Sequence, residues 1–260
     1  MSRRIGTRGL VLGAIPFSDT SQIVRVFGRE KGIISLLAKG ALRPPRRAAS
    51  FPSPFDLAGW YDILYMERRG ELQLALEARL VEGFPHLRRS LPLFLEACFA
   101  LEVMGKMFSP EDPHPQFLRG ALSHLKLLGV GRGRGALRVH FLSSLLGETG
   151  FAPSWSACAE CGAALDRGGA AVRLPAGVLC GRCRAPGDPQ VSNGVLCYLE
   201  RDATLPWGHI PALDPAPPVL EGAWSLLRDA LLHHLGRPPR SLRYLQGMGG
   251  SERHLHAPRG

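Results

Sequence analysis

The amino-acid sequence predicts an α+β multidomain chain: an N-terminal five-stranded β-barrel of the OB type, then a helical domain with a four-cysteine, zinc-binding insertion. Three observations carry that reading. Five short runs rich in β-branched and aromatic residues fill the first 80 residues, the periodicity turns helical from Phe84, and four of the six cysteines form two Cys-x2-Cys pairs. A chain of 260 residues with 45% hydrophobic and 21% charged residues suits folded domains rather than disorder. The apolar runs Leu91–Leu95 and Leu226–Leu232 are broken by Pro, Arg or Asp well short of the ~18 residues that span a bilayer.

Ile5–Leu12 is apolar and β-branched, and Gln22–Phe27 alternates around Ile23 and Val26. Gly32–Ala38 follows a Lys-Gly turn. Phe55–Tyr65 is aromatic and β-branched, and Leu72–Leu76 alternates after the turn Arg68-Arg69-Gly70. Closing five such strands into a barrel removes their exposed edges. An open five-stranded sheet has the same periodicity and stays open as the alternative.

Helices follow. Leu91–Met107 reads as buried, with Ser109-Pro-Glu-Asp-Pro-His-Pro ending it. Gln116–Leu128 and Ala136–Leu146 are two more, joined by the glycine- and arginine-rich connector Gly129–Gly135. Ser192 caps Asn193–Glu200, Leu205–Pro218 is a proline-rich loop, and amphipathic Val219–Leu235 stops at Gly236-Arg-Pro-Pro. Ser241–Leu245 is one further turn. The expected domains are 1–80 for the barrel, 81–150 with 190–248 for the helices, 151–189 for the insertion, and a disordered tail at 249–260. The helical middle, Phe84–Leu146, reads as scaffold and docking surface.

The cysteines are the sharpest signal. Cys158-Ala-Glu-Cys161 and Cys180-Gly-Arg-Cys183 are separated by 18 residues, the spacing of a tetrahedral four-thiolate zinc site. Each pair aims two sulfurs at one point, Gly162 and Gly181 allow tight turns, and Asp166-Arg-Gly-Gly offers a hairpin turn between the pairs. Redox dithiols are the rival reading. Four protein ligands leave no open position, so the Zn2+ is expected to be structural. Cys98 and Cys197 lie on predicted helices and are expected to be buried.

Charge is concentrated at one end. Residues 1–50 hold ten Lys or Arg against Asp19 and Glu30, a net of +8, whereas the other 210 residues carry +2 of the chain's +10. A concentrated positive region points to a polyanion. The loop Lys39-Gly-Ala-Leu-Arg43-Pro-Pro-Arg46-Arg47 suits phosphate contact at a barrel rim, and Arg25, Lys39, Arg43, Arg46 and Arg47 are the residues expected to meet a nucleic-acid backbone. Phe51, Phe55, Trp60 and Tyr61 are candidates for stacking on bases, though barrel core is the expected place for most of them. Arg132 and Arg134 are a weaker second contact. No nucleophile elbow or His-Glu-x-x-His motif is present, and residues 1–50 offer too few acids for a metal-dependent nuclease. An enzyme is therefore not expected. An RNA-binding zinc-ribbon protein and a DNA-processing nuclease are the alternatives.

Several runs resemble a known family. Gly9-Leu-Val-Leu-Gly-Ala-Ile-Pro-Phe-Ser-Asp19, Ile23-Val-Arg-Val-Phe27 and Gly32-Ile-Ile-Ser-Leu-Leu-Ala-Lys-Gly40 are similar to the opening of the RecO family of bacterial recombination mediators. Phe141-Leu-x-x-Leu-Leu-Gly-Glu-Thr-Gly150-Phe-Ala-Pro, leading to Cys158-x-x-Cys161-Gly162, is similar to a later run of that family. The resemblance spans about residues 1 to 245. It implies an OB-fold, a helical domain and a zinc-binding insertion. It also implies a non-enzymatic role: binding single- and double-stranded DNA, annealing complementary strands and, with RecR, helping RecA displace single-strand binding protein. With no apolar core behind the basic start Met1–Arg8, a cytoplasmic, nucleoid-associated location is the expectation.

Overall fold

The computed structural model describes residues 3–44, 50–165 and 169–249. They form two compact units, one of residues up to Arg119 together with those from Pro239, the other of Gly120–Pro238.

The first unit is built on β1 (Arg4–Ser18), β2 (Ser21–Gly28), β3 (Gly32–Ala38), β4 (Trp60–Met66) and β5 (Leu72–Glu82). They close into a barrel in the order β1-β2-β3-β5-β4, which rules out the open sheet. The β3–β5 pairing is parallel and the others are antiparallel. Closure asks one strand to serve two neighbours. β1 runs well beyond the expected Ile5–Leu12: its first half pairs with β4 from Arg4 to Leu10, and its second with β2 from Gly9 to Ser18. Register shifts between Val11 and Gly13, and between Pro16 and Ser18, bend it round the barrel. Period-2 alternation sends Val24, Val26, Ile34 and Leu36 inward, against Ile63 and Tyr65.

Two strand expectations need correction. β5 extends six residues past Leu76, and β4 starts at Trp60 rather than Phe55. The chain before Trp60 turns at Ala58, which has φ 64, and is pinned by hydrogen bonds between Ala58 N–H and Val11 O (3.0 Å) and between Val11 N–H and Gly59 O (2.9 Å). Phe51 and Phe55 pack into the barrel core, as expected, although Phe55 does so from outside a strand. The Gln22 side chain accepts the Phe55 N–H at 2.9 Å, which satisfies that buried donor.

α1 (Leu91–Met107) follows. Beyond its end, Phe108 stacks on Phe27 of β2 with centroids 4.8 Å apart and touches Phe117 of α2 (Pro115–Leu127) at 5.0 Å. The last helix, α6 (Leu242–Gly249), packs on α1 in this same unit and is longer than the single turn expected. The carboxylate of Glu102 receives the N–H groups of Arg240 and Ser241 at 2.8 and 2.9 Å and the Ser241 hydroxyl at 2.7 Å, so a distant acid caps the start of α6. The disordered tail expected beyond it lies outside the described residues.

In the second unit, α3 (Arg134–Glu148) packs against α4 (Asn193–Asp202) and α5 (Pro217–Leu235). Ser192 caps α4 as expected, its hydroxyl accepting the Val195 N–H at 3.4 Å, and Gly236 at φ 65 ends α5. The proline-rich loop contains a 3-10 turn, Trp207–Ala212. Between α3 and α4 sits a three-stranded sheet in the order β7-β6-β8, from β6 (Ala170–Arg173), β7 (Gly177–Leu179) and β8 (Gln190–Val191). No helix is long and apolar enough to cross a membrane among the described residues.

Candidate metal centre and nucleic-acid face

The second unit brings the four paired cysteines together. Their sulfurs all lie within 4.8 Å of one another, with Cys161 Sγ and Cys180 Sγ 3.8 Å apart. A tetrahedral zinc–thiolate site with bonds of about 2.3 Å places sulfurs about 3.8 Å apart, so this donor set fits a metal ion. All six cysteines are free. Local structure explains the convergence. The β6–β7 hairpin delivers Cys180 directly after Leu179, and the Ala159 N–H donates to Val178 O at 2.8 Å, holding the first pair against that strand. Gly162 takes φ 69 and turns the first pair back on itself, whereas Gly181 needs no positive φ. Backbone N–H groups also reach Cys158, including that of Cys180 at 3.4 Å. Donation from Cys161, then Cys180, pulls the Cys158 thiol down to about 6, toward the thiolate that a metal requires. Leu179 and Leu165 give the knuckle its small apolar core. The hairpin turn expected at Asp166 lies outside the described residues. Cys98 is half-buried, and Cys197, expected to be buried, is exposed on α4.

The first unit presents a different surface. Arg25 points outward from β2, between the inward Val24 and Val26, and is exposed. Lys39 and Arg43 are exposed in the turn after β3, which a hydrogen bond from Leu42 N–H to Thr20 O (3.0 Å) holds against the β1–β2 hairpin. Among the described residues, none of these three cations forms an ion pair, whereas Arg8 and Arg79 share Asp62, and Lys31 meets Glu67. Arg46 and Arg47 lie outside the described residues. Of the aromatic candidates, Phe51, Phe55 and Tyr61 are buried in the barrel, and Trp60 is half-buried. Arg132 is exposed in the second unit.

Sequence reasoning missed the apolar part of this face. The register aligns Ile15 of β1 with Ile23 of β2, Leu37 of β3 and Leu74 of β5 in one outward row. Ile15 and the neighbouring Phe17 are each 60% exposed. Arg25 occupies the adjacent row, between Gly13 and Ser35. The β4–β5 hairpin adds exposed Arg68 and Arg69; the Gln73 side chain clamps it by accepting the Arg68 N–H at 2.6 Å and donating to Gly70 O at 2.7 Å. In OB-folds the strand 2–3 face and these two hairpins are the surfaces that meet oligonucleotides. The signal was in the register: alternation alone gives Ile15 and Phe17 no partner inside the barrel.

Also missed was a buried polar cluster in the second unit, in helices read as plain scaffold. His140 Nδ1 lies 3.2 Å from Asp202 Oδ1, both nearly fully buried, and Trp207 packs edge-on against the His140 and His124 rings. Burial, with His140 and Arg138 nearby, drives His124 down to about 3, so it is neutral. A histidine and an aspartate 62 residues apart leave no spacing signature in the sequence.

A closed OB-type barrel with exposed cations that are unpaired among the described residues, carried on one chain with a four-cysteine knuckle whose donors fit a metal ion, defines the class: OB-barrel proteins with a metal knuckle. The family model described as Recombination protein O N terminal matches residues 1–84, and that for Recombination protein O C terminal matches residues 90–243. DNA repair protein RecO of Anaeromyxobacter sp. (strain K) is 32% identical over 256 residues, covering 95% of this chain and 97% of its own. The proteins of the same name from Synechococcus sp. (strain JA-2-3B'a(2-13)) and Geobacter metallireducens are each 29% identical, over 91% and 92% of this chain and 87% and 96% of theirs. The chain belongs to the RecO family of DNA repair and recombination proteins.

Proposed function

We propose that this protein is a recombination mediator that binds single- and double-stranded DNA, anneals complementary strands and, with RecR, assists RecA loading onto DNA coated by single-strand binding protein. The observation that carries the reading is the outer face of β1–β3, where Arg25 of β2, with Lys39 and Arg43 in the turn after β3, is exposed and unpaired among the described residues, and Ile15 and Phe17 of β1 are exposed as well. Annealing makes and breaks no covalent bond. Two polyanions repel, and a cationic surface lowers that repulsion while releasing counterions. Holding strands by their backbones leaves base edges free to pair. Phe17 adds a sequence-tolerant stacking platform. On this reading residues 1–80 bind DNA, 81–150 with 190–248 are scaffold and docking surface, and 151–189 hold Zn2+ through Cys158, Cys161, Cys180 and Cys183. The metal supplies folding free energy to the insertion.

The test is annealing of complementary labelled strands, bare and coated with single-strand binding protein, followed by RecA filament formation with RecR added. Accelerated annealing and RecR-dependent loading are expected. Cleavage of the DNA in Mg2+ would replace this reading with a nuclease, and markedly tighter binding to RNA at matched salt would replace it with an RNA-binding protein.

A further inference from the structure

Arg173 belongs to no motif, yet its side chain joins the two cysteine pairs. It ends β6 opposite Gly177 of β7, two residues before Leu179 leads into Cys180. Its Nη1 donates to Oε1 of Glu160, between Cys158 and Cys161, at 2.5 Å. Its Nε and Nη2 donate to the two carboxylate oxygens of Asp188 at 3.2 and 2.6 Å, and Nη2 also reaches the carbonyl of Cys183 at 3.5 Å. Asp188 in turn accepts the Ala185 N–H at 2.7 Å, which fixes the chain just after the second pair. One planar guanidinium thus spans the first pair, the second pair and the exit from the knuckle, using the fork geometry that a lysine lacks.

We propose that Arg173 is a positioning residue for the four-thiolate site, holding the two cysteine pairs in register before metal binds. The inference rests on the zinc reading of the knuckle and adds a determinant of its affinity. Besides the Arg173 bonds, the contacts between the first pair and the second among the described residues include the Ala159–Val178 hydrogen bond, the Cys180 N–H on Cys158 Sγ and the Cys161 Sγ–Cys180 Sγ approach at 3.8 Å, all made by the cysteine segments themselves. Metal binding to an unclasped knuckle must order both segments at once, and preorganisation removes that cost. The bland alternative is a solvent-screened ion pair of little consequence. Against it stand the two-pronged geometry on Asp188, whose side chain is only 14% exposed, and partners on both sides of the site.

Zinc affinity of the full chain is measured by competition with a chromophoric chelator, and the Co2+ absorption spectrum reports coordination separately. Arg173→Ala is expected to weaken zinc about 10–100-fold, as loss of outer-shell partners does, while saturating Co2+ still gives the tetrahedral thiolate spectrum. Arg173→Lys is expected to recover little of this, and Asp188→Asn combined with Arg173→Ala to add nothing to the single change. Affinity of Arg173→Ala within about twofold of the parent, or fully additive losses in the pair, overturns the proposal. If Arg173→Ala fails to fold, Arg173→Lys and Asp188→Asn decide by the same criterion. A parent chain that takes up neither zinc nor tetrahedral Co2+ brings down the zinc reading and this inference with it, an outcome distinct from one confined to the variants.

Discussion

Exposure separates the residues that work outward from those that hold the fold. Arg25, Lys39 and Arg43 are exposed and unpaired among the described residues, so changing all three to Ala should leave the unfolding midpoint unchanged. If each meets one phosphate, the slope of log K against log salt for single-stranded DNA should fall by about 2, at about 0.7 per phosphate. Binding measured over a salt series checks this; an unchanged slope there, with a flattened one in Arg132→Ala/Arg134→Ala, would move the site to the second unit. Phe17→Ala should instead weaken binding by about 1–3 kcal/mol with the slope intact, because stacking releases no counterions. His124 is the opposite kind of residue. Its folded value, about 3, lies below the ordinary 6.5, so the unfolded chain binds the extra proton between those limits. Stability from this group is complete above pH 6.5 and declines as pH falls toward 3, by at most roughly 1.4 kcal/mol per pH unit. Urea midpoints at several pH values should show a shallower acid decline in His124→Phe than in the parent.

Elements here are fastened by side chains far away in sequence. α6 is eight residues long, too short to persist alone, and its start is satisfied by Glu102 of α1. Burial pushes the Glu102 carboxyl up, but hydrogen bonds from Ser241 and Arg240 outweigh it and hold the group below its usual range. The carboxylate therefore stabilises the α1–α6 contact above about pH 4.5, and that contribution is lost as pH falls below it. Glu102→Ala should cost about 1 kcal/mol, the scale of a lost helix cap. Amide exchange should accelerate in α6 before the barrel strands; uniform acceleration would mean that the cap is not specific to that helix.

At the scale of the whole molecule, the barrel and the cysteine knuckle belong to different compact units. Metal removal should therefore act regionally. Purified without chelator, the protein should hold about one zinc per chain, lost in Cys158→Ser and Cys180→Ser. Stripping the metal should unfold the knuckle, because closed zinc sites supply folding free energy on the order of 10 kcal/mol in small peptides. Amide exchange in β1–β5 should stay protected through that treatment. Loss of protection throughout the barrel would show that the knuckle supports the whole chain.

How much could be read without coordinates depended on the range of the signal. The strand and helix pattern, the N-terminal concentration of charge and the Cys158–Cys183 spacing are local, and they determined the five strands, the helices and the candidate metal ligands. α1 was legible to its ends, because apolar periodicity and the following prolines are neighbours in the chain. Closure in the order β1-β2-β3-β5-β4 was decided by tertiary structure, since alternation does not distinguish a barrel from an open sheet. So were the outward row from Ile15 to Leu74, the His140–Asp202 contact and the Arg173 clasp. Each depends on which residues a register or a hairpin sets side by side, and such pairings join segments whose separation in sequence carries no periodic trace.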